Sequence, residues 1–306
     1  MTTAGLPEKR KNLFAQPNFA AKYRLGARSC LVVATLATCQ PAHASDVDSE
    51  HLFGFTEGAD IGKTGEREAE TETISRLGKS SGSYAAVTQN DSVKMLPIEN
   101  FRISANALLA YFGISGVPDL QDRQLATLLG ASFETRYMLM DRHRGPFGLT
   151  IIAEPRWGRV DATSGESLTS YGGMFTVVAD RELIDNRLLG ALNALYDAQA
   201  TRFPIANLWV HDSKIGFSSA LSARIAPTLF LGGEIRYLRA YDGLGLDAIS
   251  GQALFAGPTF YLQIAHGMAL SGAWNVQIAG RTATGGSLDL NHFERHQLKV
   301  RFNFNF

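Results

Sequence analysis

Three things are missing from this chain, and each absence closes off a class of protein. No run of 18 or more apolar residues occurs, so no helix of the usual kind can span a membrane. Cysteine is confined to Cys30 and Cys39; beyond residue 44 no disulfide can form and no thiolate is on offer to a metal or a substrate. Positive charge is not in excess, with 29 basic against 29 acidic residues, which argues against a nucleic-acid partner. The mean hydropathy of −0.04 suits a soluble protein, yet it is also what strict alternation yields, because half of each membrane barrel strand is polar.

What is present begins with Lys9, Arg10, Lys11, Lys22, Arg24 and Arg28, then an apolar run from Cys30 to Ala37, then the small-x-small triplet Ala42-His43-Ala44. This resembles a secretory signal peptide, residues 1–44, removed before Ser45. Thr38 before Cys39 fits a lipoprotein box poorly, so cleavage after Ala44 is expected. Six basic residues and one acidic residue, Glu8, leave with the leader; 29 of each become 23 basic and 28 acidic, a net charge of −5.

At the other end, Leu298, Val300, Phe302, Phe304 and Phe306 alternate with Gln297, Lys299, Arg301, Asn303 and Asn305. A period of two makes a strand with one apolar and one wet wall. With its last residue aromatic, the segment resembles the closing strand of bacterial outer-membrane β-barrels. That resemblance implies an all-β fold, a transmembrane antiparallel up-and-down β-barrel in contact with outer-membrane lipid. It also implies that Phe306 belongs to the insertion signal read by the barrel assembly machinery.

Parsing backwards gives strands at 66–78, 83–96, 98–114, 122–141, 147–160, 168–180, 186–199, 212–226, 228–242, 251–265, 268–283 and 291–306, about 12 in all. Short joints at 96–97, 141–146, 181–185, 226–227 and 266–267 alternate with longer loops near 115–121, 161–167, 200–211, 243–250 and 284–290, and an even count lets both ends of the barrel domain, 66–306, lie on the short-turn side. Ile215, Phe217, Leu221 and Ile225, then Leu270, Trp274, Val276 and Ile278, are expected to meet lipid, with Trp157, Tyr171, Trp209, Tyr237 and Tyr241 as interfacial girdle candidates. Residues 186–199 are apolar on both parities and also read as a short helix, while 122–141 is long enough to protrude from the bilayer. Residues 45–65 alternate poorly and are Gly-rich, which favours a periplasmic or plugging segment.

The most suggestive chemistry is Glu66, Glu68, Glu70 and Glu72 on one face of the first strand, opposite Lys299 and Arg301 on the last; unpaired, such a row of carboxylates would repel itself. Arg102, Glu134, Arg136, Glu154, Arg156, Arg224, Glu234, Arg236 and Arg281 are further lumen candidates. Together they either fill and stiffen the barrel as a salt-bridged network or form a charged constriction selecting small solutes. Twelve strands lie between the filled eight-stranded barrels and the wide sixteen-stranded ones, so a narrow passage fits.

An enzyme is the alternative from another class. His296 and Ser75 share the lipid-facing parity of neighbouring strands, as serine and histidine do in twelve-stranded outer-membrane phospholipases, but no third residue orients the histidine and no catalytic set is assigned. A non-conducting structural or adhesive barrel is a further alternative, and a soluble β-sandwich alternates as well. His51, His143, His211, His266 and His292 sit at turns or loop edges without ligand spacing and are expected to be solvated, so neither metal nor cofactor is expected. Finally, Leu52-Phe-Gly-Phe-Thr-Glu-Gly-Ala-Asp-Ile-Gly62, Tyr237-Leu-Arg-Ala-Tyr-Asp-Gly-Leu-Gly245 and Asn291-His-Phe-Glu-Arg-His-Gln297 resemble an uncharacterised family of exported proteobacterial outer-membrane β-barrel proteins. The resemblance implies localisation and transfers no activity.

Overall fold

The computed structural model describes residues 48–204, 208–282 and 285–306; the expected leader lies outside the described residues. Strands β1 (Arg67–Leu77), β2 (Ser83–Ile98), β3 (Phe101–Ser115), β4 (Arg123–Met140), β5 (Gly148–Val160), β6 (Ser167–Ile184), β7 (Leu188–Phe203), β8 (Leu208–Ala226), β9 (Leu229–Asp242), β10 (Ala248–Ala265), β11 (Met268–Thr282) and β12 (His296–Asn305) each pair with their sequence neighbours, and β1 pairs with β12. The result is a closed antiparallel barrel of 12 strands without a helix among the described residues. Closure leaves no unpaired strand edge, as crossing a bilayer requires.

Tight turns cluster at the end where β1 begins and β12 finishes. Asn100 and Asn186, with φ of 62° and 54°, and Gly267, with φ of 72°, supply the left-handed backbone such turns demand. At the seam the register sets Glu72 against Arg301 and Thr73 against Val300, so inward faces inward across the joint.

Outside, the wall is apolar: Leu109, Phe133, Phe175, Leu192, Phe217, Leu221, Ile235, Trp274 and Ile278 are all exposed. Water would penalise such a surface and lipid does not. Trp157, Tyr171 and Trp209 are exposed too, the last two with ring centroids 6.4 Å apart, whereas Tyr241, a girdle candidate, is buried.

One sequence expectation needs correction here. Residues 291–295 do not begin the last strand: Phe293 and Glu294 are 4% exposed, folded inward over the mouth opposite the tight turns, where Phe293 meets Phe255 edge-on at 6.3 Å. The expected strand at residues 186–199 forms as β7 from Leu188 onward, and the helical alternative does not occur. Its two apolar faces have two different neighbours: Leu192 looks out to lipid, while Leu189 and Ala191 look in at a segment inside the barrel.

Candidate functional site

That segment, residues 48–62, holds Asp48, Glu50, Glu57 and Asp60 and neither lysine nor arginine. It runs inside the lumen at the tight-turn end. Leu52 and Phe53 are buried against Leu189, Ala191, Ala220 and Phe230 of β7 to β9, and Ala59 packs with Ile152 and Val178. Because the segment pairs with no strand, wall side chains must satisfy its backbone. Glu234 accepts hydrogen bonds from the Phe55 and Thr56 amides at 3.0 and 2.8 Å, from Thr56 Oγ1 at 2.9 Å and from Asn275 Nδ2 at 2.7 Å. Asn193 accepts from the Glu57 amide at 2.6 Å and donates to its carbonyl at 2.9 Å. Thr150 donates to the Ala59 carbonyl at 2.5 Å.

The carboxylates of the segment complete a charge network on the wall. Arg102 grips Glu50 with both terminal nitrogens, and Lys94 Nζ lies 3.0 Å from the same carboxylate. Lys94 also reaches Glu68 at 2.8 Å and Glu70 at 2.7 Å. Arg301 donates to Glu72 at 2.9 and 2.7 Å and to Glu57 at 3.0 Å, and Lys299 lies 2.8 Å from Glu72. Arg136 binds Glu134 at 2.6 Å and approaches Glu57 at 3.6 Å. At the edge, Arg142 from the β4–β5 turn holds Asp60 at 2.7 Å and Asp180 at 3.1 Å. Burial alone would raise the pKa of Glu50, but Arg102, then His51, Lys94 and Arg136, hold it well below the carboxylate range. Burial first, with Asp48 and Asp180 beside it, pushes Asp60 up to about 7 against the pull of Arg142.

The structure thus brings Glu68, Glu70, Glu72, Arg102, Glu134, Arg136, Lys299 and Arg301 into one cluster. The other residues singled out in the sequence stand apart from it. Glu154 accepts from Ser132 at 2.7 Å and Arg156 pairs with Asp197. Arg236 stacks over Phe55 at 4.0 Å and donates to Gln297 at 3.0 Å, while Arg224 stacks over Phe230 at 4.9 Å. Arg281 is a correction: it is exposed, because an extra residue at Ile278, between the pairs Leu254–Ala279 and Phe255–Gln277, reverses the face of the strand beyond it. Glu66 lies at the rim, where Asn305 and the Lys63 amide donate to it.

Sequence reasoning missed Glu50, Glu57 and Lys94. Lys94 was findable, since it has the lumen parity of β2. His51 is a second correction: it is 2% exposed, not solvated, with Nε2 3.0 Å from Glu68 and Nδ1 3.3 Å from Glu70. Glu50, His51, Glu68 and Glu70 offer atoms within 4.8 Å of one another, the geometry of a cation site. Lys94, Arg102 and Arg301 already supply the positive charge there. The lipid-side pair is not brought together: Ser75 is directly opposite Leu298, and His296 instead accepts from the Trp274 indole at 3.4 Å.

Above the network lies a cavity of about 340 Å³, floored by Phe55 and Glu57 of the inner segment. Its lining includes eight basic side chains, among them Arg76, Lys214 and Arg236, and six acidic ones, among them Glu154 and Asp197. Below, between the segment and β1 to β3, a small space of about 10 Å³ lies beside Glu68 and Lys94. At the opposite mouth, Tyr84 donates to the Thr163 carbonyl at 3.0 Å, and Lys79 to the carbonyls of Asn291 and Phe293 at 3.2 and 3.0 Å. Loops therefore lean over the entrance.

A closed twelve-stranded cylinder with an apolar exterior and a charged interior defines the class: this is an outer-membrane β-barrel fold. The chain belongs to the family of unknown function DUF6662, which matches residues 45–306. Among solved structures it is similar to an outer-membrane channel from Pseudomonas putida F1, with 11% identity, a TM-score of 0.55, and coverage of 81% of this chain and 98% of that one. It is also similar to the β domain of a Bordetella autotransporter, with 12% identity, a TM-score of 0.49, and coverage of 80% and 100%. At such identities the likeness is one of fold alone. No curated protein compared with the sequence matches it.

Proposed function

We propose that this protein is a substrate-selective passage for small anionic solutes across the outer membrane of a Gram-negative proteobacterium, exported behind its leader and stoppered at rest by residues 48–62. The observation that carries the reading is the charged cavity ending on the inner segment. A chamber of about 340 Å³ that merely stabilised the barrel would be filled by side chains. Eight basic against six acidic lining groups favour an anion, and lifting the segment withdraws Glu57 and adds to that bias. The stopper sits at the tight-turn end, which in such barrels faces the periplasm, so a solute would enter from outside and wait on the stopper. Lipid, the assembly machinery and small solutes are its partners; no metal, cofactor or catalytic step enters the reading.

Planar-bilayer recording tests it. The intact barrel should conduct little, and a variant lacking residues 48–62 should conduct at least tenfold more, with a reversal potential of anion preference in a potassium chloride gradient. A stopper-free barrel that stays silent, or that prefers cations, would reject the passage or its selectivity respectively.

A further inference from the structure

The outward wall of β1 and β2 differs from the rest of the barrel. Elsewhere the outward positions carry residues such as Leu192, Phe217, Leu221, Ile235, Trp274 and Ile278, between 46% and 62% exposed. On β1 and β2 the same parity carries Thr71, Thr73, Gln89 and Asp91. Thr71 is paired with Asp91 and Thr73 with Gln89, so the four make one compact patch. Asp91 is eight residues from one end of β2 and seven from the other, with Val87 and the 60% exposed Val93 on either side of the patch. That is mid-height in an apolar band about 25 Å tall, where an ionisable side chain facing lipid is unfavourable.

The patch is organised. The Asp91 carboxylate accepts from Thr71 Oγ1 at 2.7 Å and from Gln89 Nε2 at 3.0 and 3.1 Å. On one side of it the wall is low, with Ala69 on β1 and Ala105 and Ala107 on β3 at neighbouring outward positions, while Leu109 opposite Gln89 and Phe302 opposite Thr71 stand as taller flanks. Small residues with hydrogen-bonding groups among them are what lets two membrane-embedded surfaces approach closely.

We infer that this patch is where two copies of the chain meet side by side in the membrane. Lipid tails carry nothing to answer a carboxylate, and only another embedded wall reaches this depth. The patch is also self-complementary: Asp91 brings acceptors, while Thr73 and Gln89 bring donors. Strands in such a barrel tilt by roughly 40°, so Thr73, one strand across and two residues along from Asp91, comes to nearly the same height. A two-fold axis along the membrane normal then sets the Thr73 hydroxyl of each copy against the Asp91 carboxylate of the other, an isologous contact. The aliphatic rim of Val87, Val93 and Val300 closes around it.

The intact protein in lipid nanodiscs or mild detergent should sediment as a dimer. The double substitution Gln89→Leu with Asp91→Leu, which suits lipid better than the native pair, should raise the dimer dissociation constant at least tenfold while the barrel keeps its heat-modifiable migration. Independently, residues 45–306 contain no cysteine, so Thr73→Cys with a copper(II) oxidant in vesicles should give a disulfide-linked dimer, whereas Phe217→Cys on β8, away from the patch, should not. A monomer at all protein-to-lipid ratios, a dimer indifferent to the leucine pair, or equal cross-linking at both cysteines would overturn the inference.

Discussion

Two carboxylates of the inner segment, Glu50 and Asp60, sit inside the same barrel and titrate in opposite senses. Glu50 has Arg102, Lys94 and Arg136 around it, so its docked pKa is depressed; its contribution is present above the ordinary carboxylate range and is lost only as pH falls through the depressed value. Asp60 is raised from 3.8 to about 7, so the docked state holds its proton more tightly than the free one, and that stabilisation fades as pH rises from about 4 towards 7. His51 is raised as well, Glu50 and Glu68 outweighing its burial, and its contribution is present below 6.5 and is lost as pH climbs through the raised value. The segment should therefore be held more firmly at mildly acid than at alkaline pH. Hydrogen exchange of amides 58–61, corrected for intrinsic rates, should be slower at pH 5 than at pH 8, and Asp60→Asn should flatten the part of that dependence between about 4 and 7. Glu50→Gln at neutral pH should free the segment, at a cost of about 3–5 kcal/mol for leaving buried cations without their partner.

At the scale of elements, β7 shows how one strand serves two solvents. Its outward Leu192 is 62% exposed while inward Leu189 is fully buried under Leu52 and Phe53. Phe53→Ala should cost about 3 kcal/mol in the docking of residues 48–62, because the emptied space inside a rigid wall cannot collapse. Limited proteolysis would read this as cleavage in the segment with the barrel intact. Leu192→Ala, which opens no enclosed cavity, should leave the segment protected. This division was only half legible in the sequence. Period two identifies both faces of β7 as apolar, but a strand between lipid and a plug carries the same pattern as a buried helix segment, and nothing local distinguishes them. Arg281 shows the converse, where parity counts correctly up to a bulge and fails after it.

For the whole molecule, closure is the dominant fact. The Phe306 amide donates to the Arg67 carbonyl at 2.9 Å, and its ring, 62% exposed, stacks on Phe304 at 6.0 Å. The ring therefore adds little to the packed interior and remains on view where β12 meets β1. Phe306→Ser should lower the yield of membrane-inserted protein in cells several-fold while leaving the midpoint of unfolding of barrel refolded in detergent nearly unchanged. Equal loss in both assays would assign the residue to stability and not to assembly.

The alternation of side chains by itself determined a wall of about twelve strands, the outward face of each stretch up to any bulge, and the facing of the β1 glutamate row with Lys299 and Arg301 across the seam, because a period of two is local and closure follows from an even count of such strands. Only the tertiary structure decided that residues 48–62 fill the floor, that Glu50 and Glu57 join the network, and that a chamber remains above them. The physical reason is distance along the chain: an aperiodic segment is held by partners such as Glu234, 179 residues from Phe55, and no neighbourhood in the sequence encodes a contact of that span.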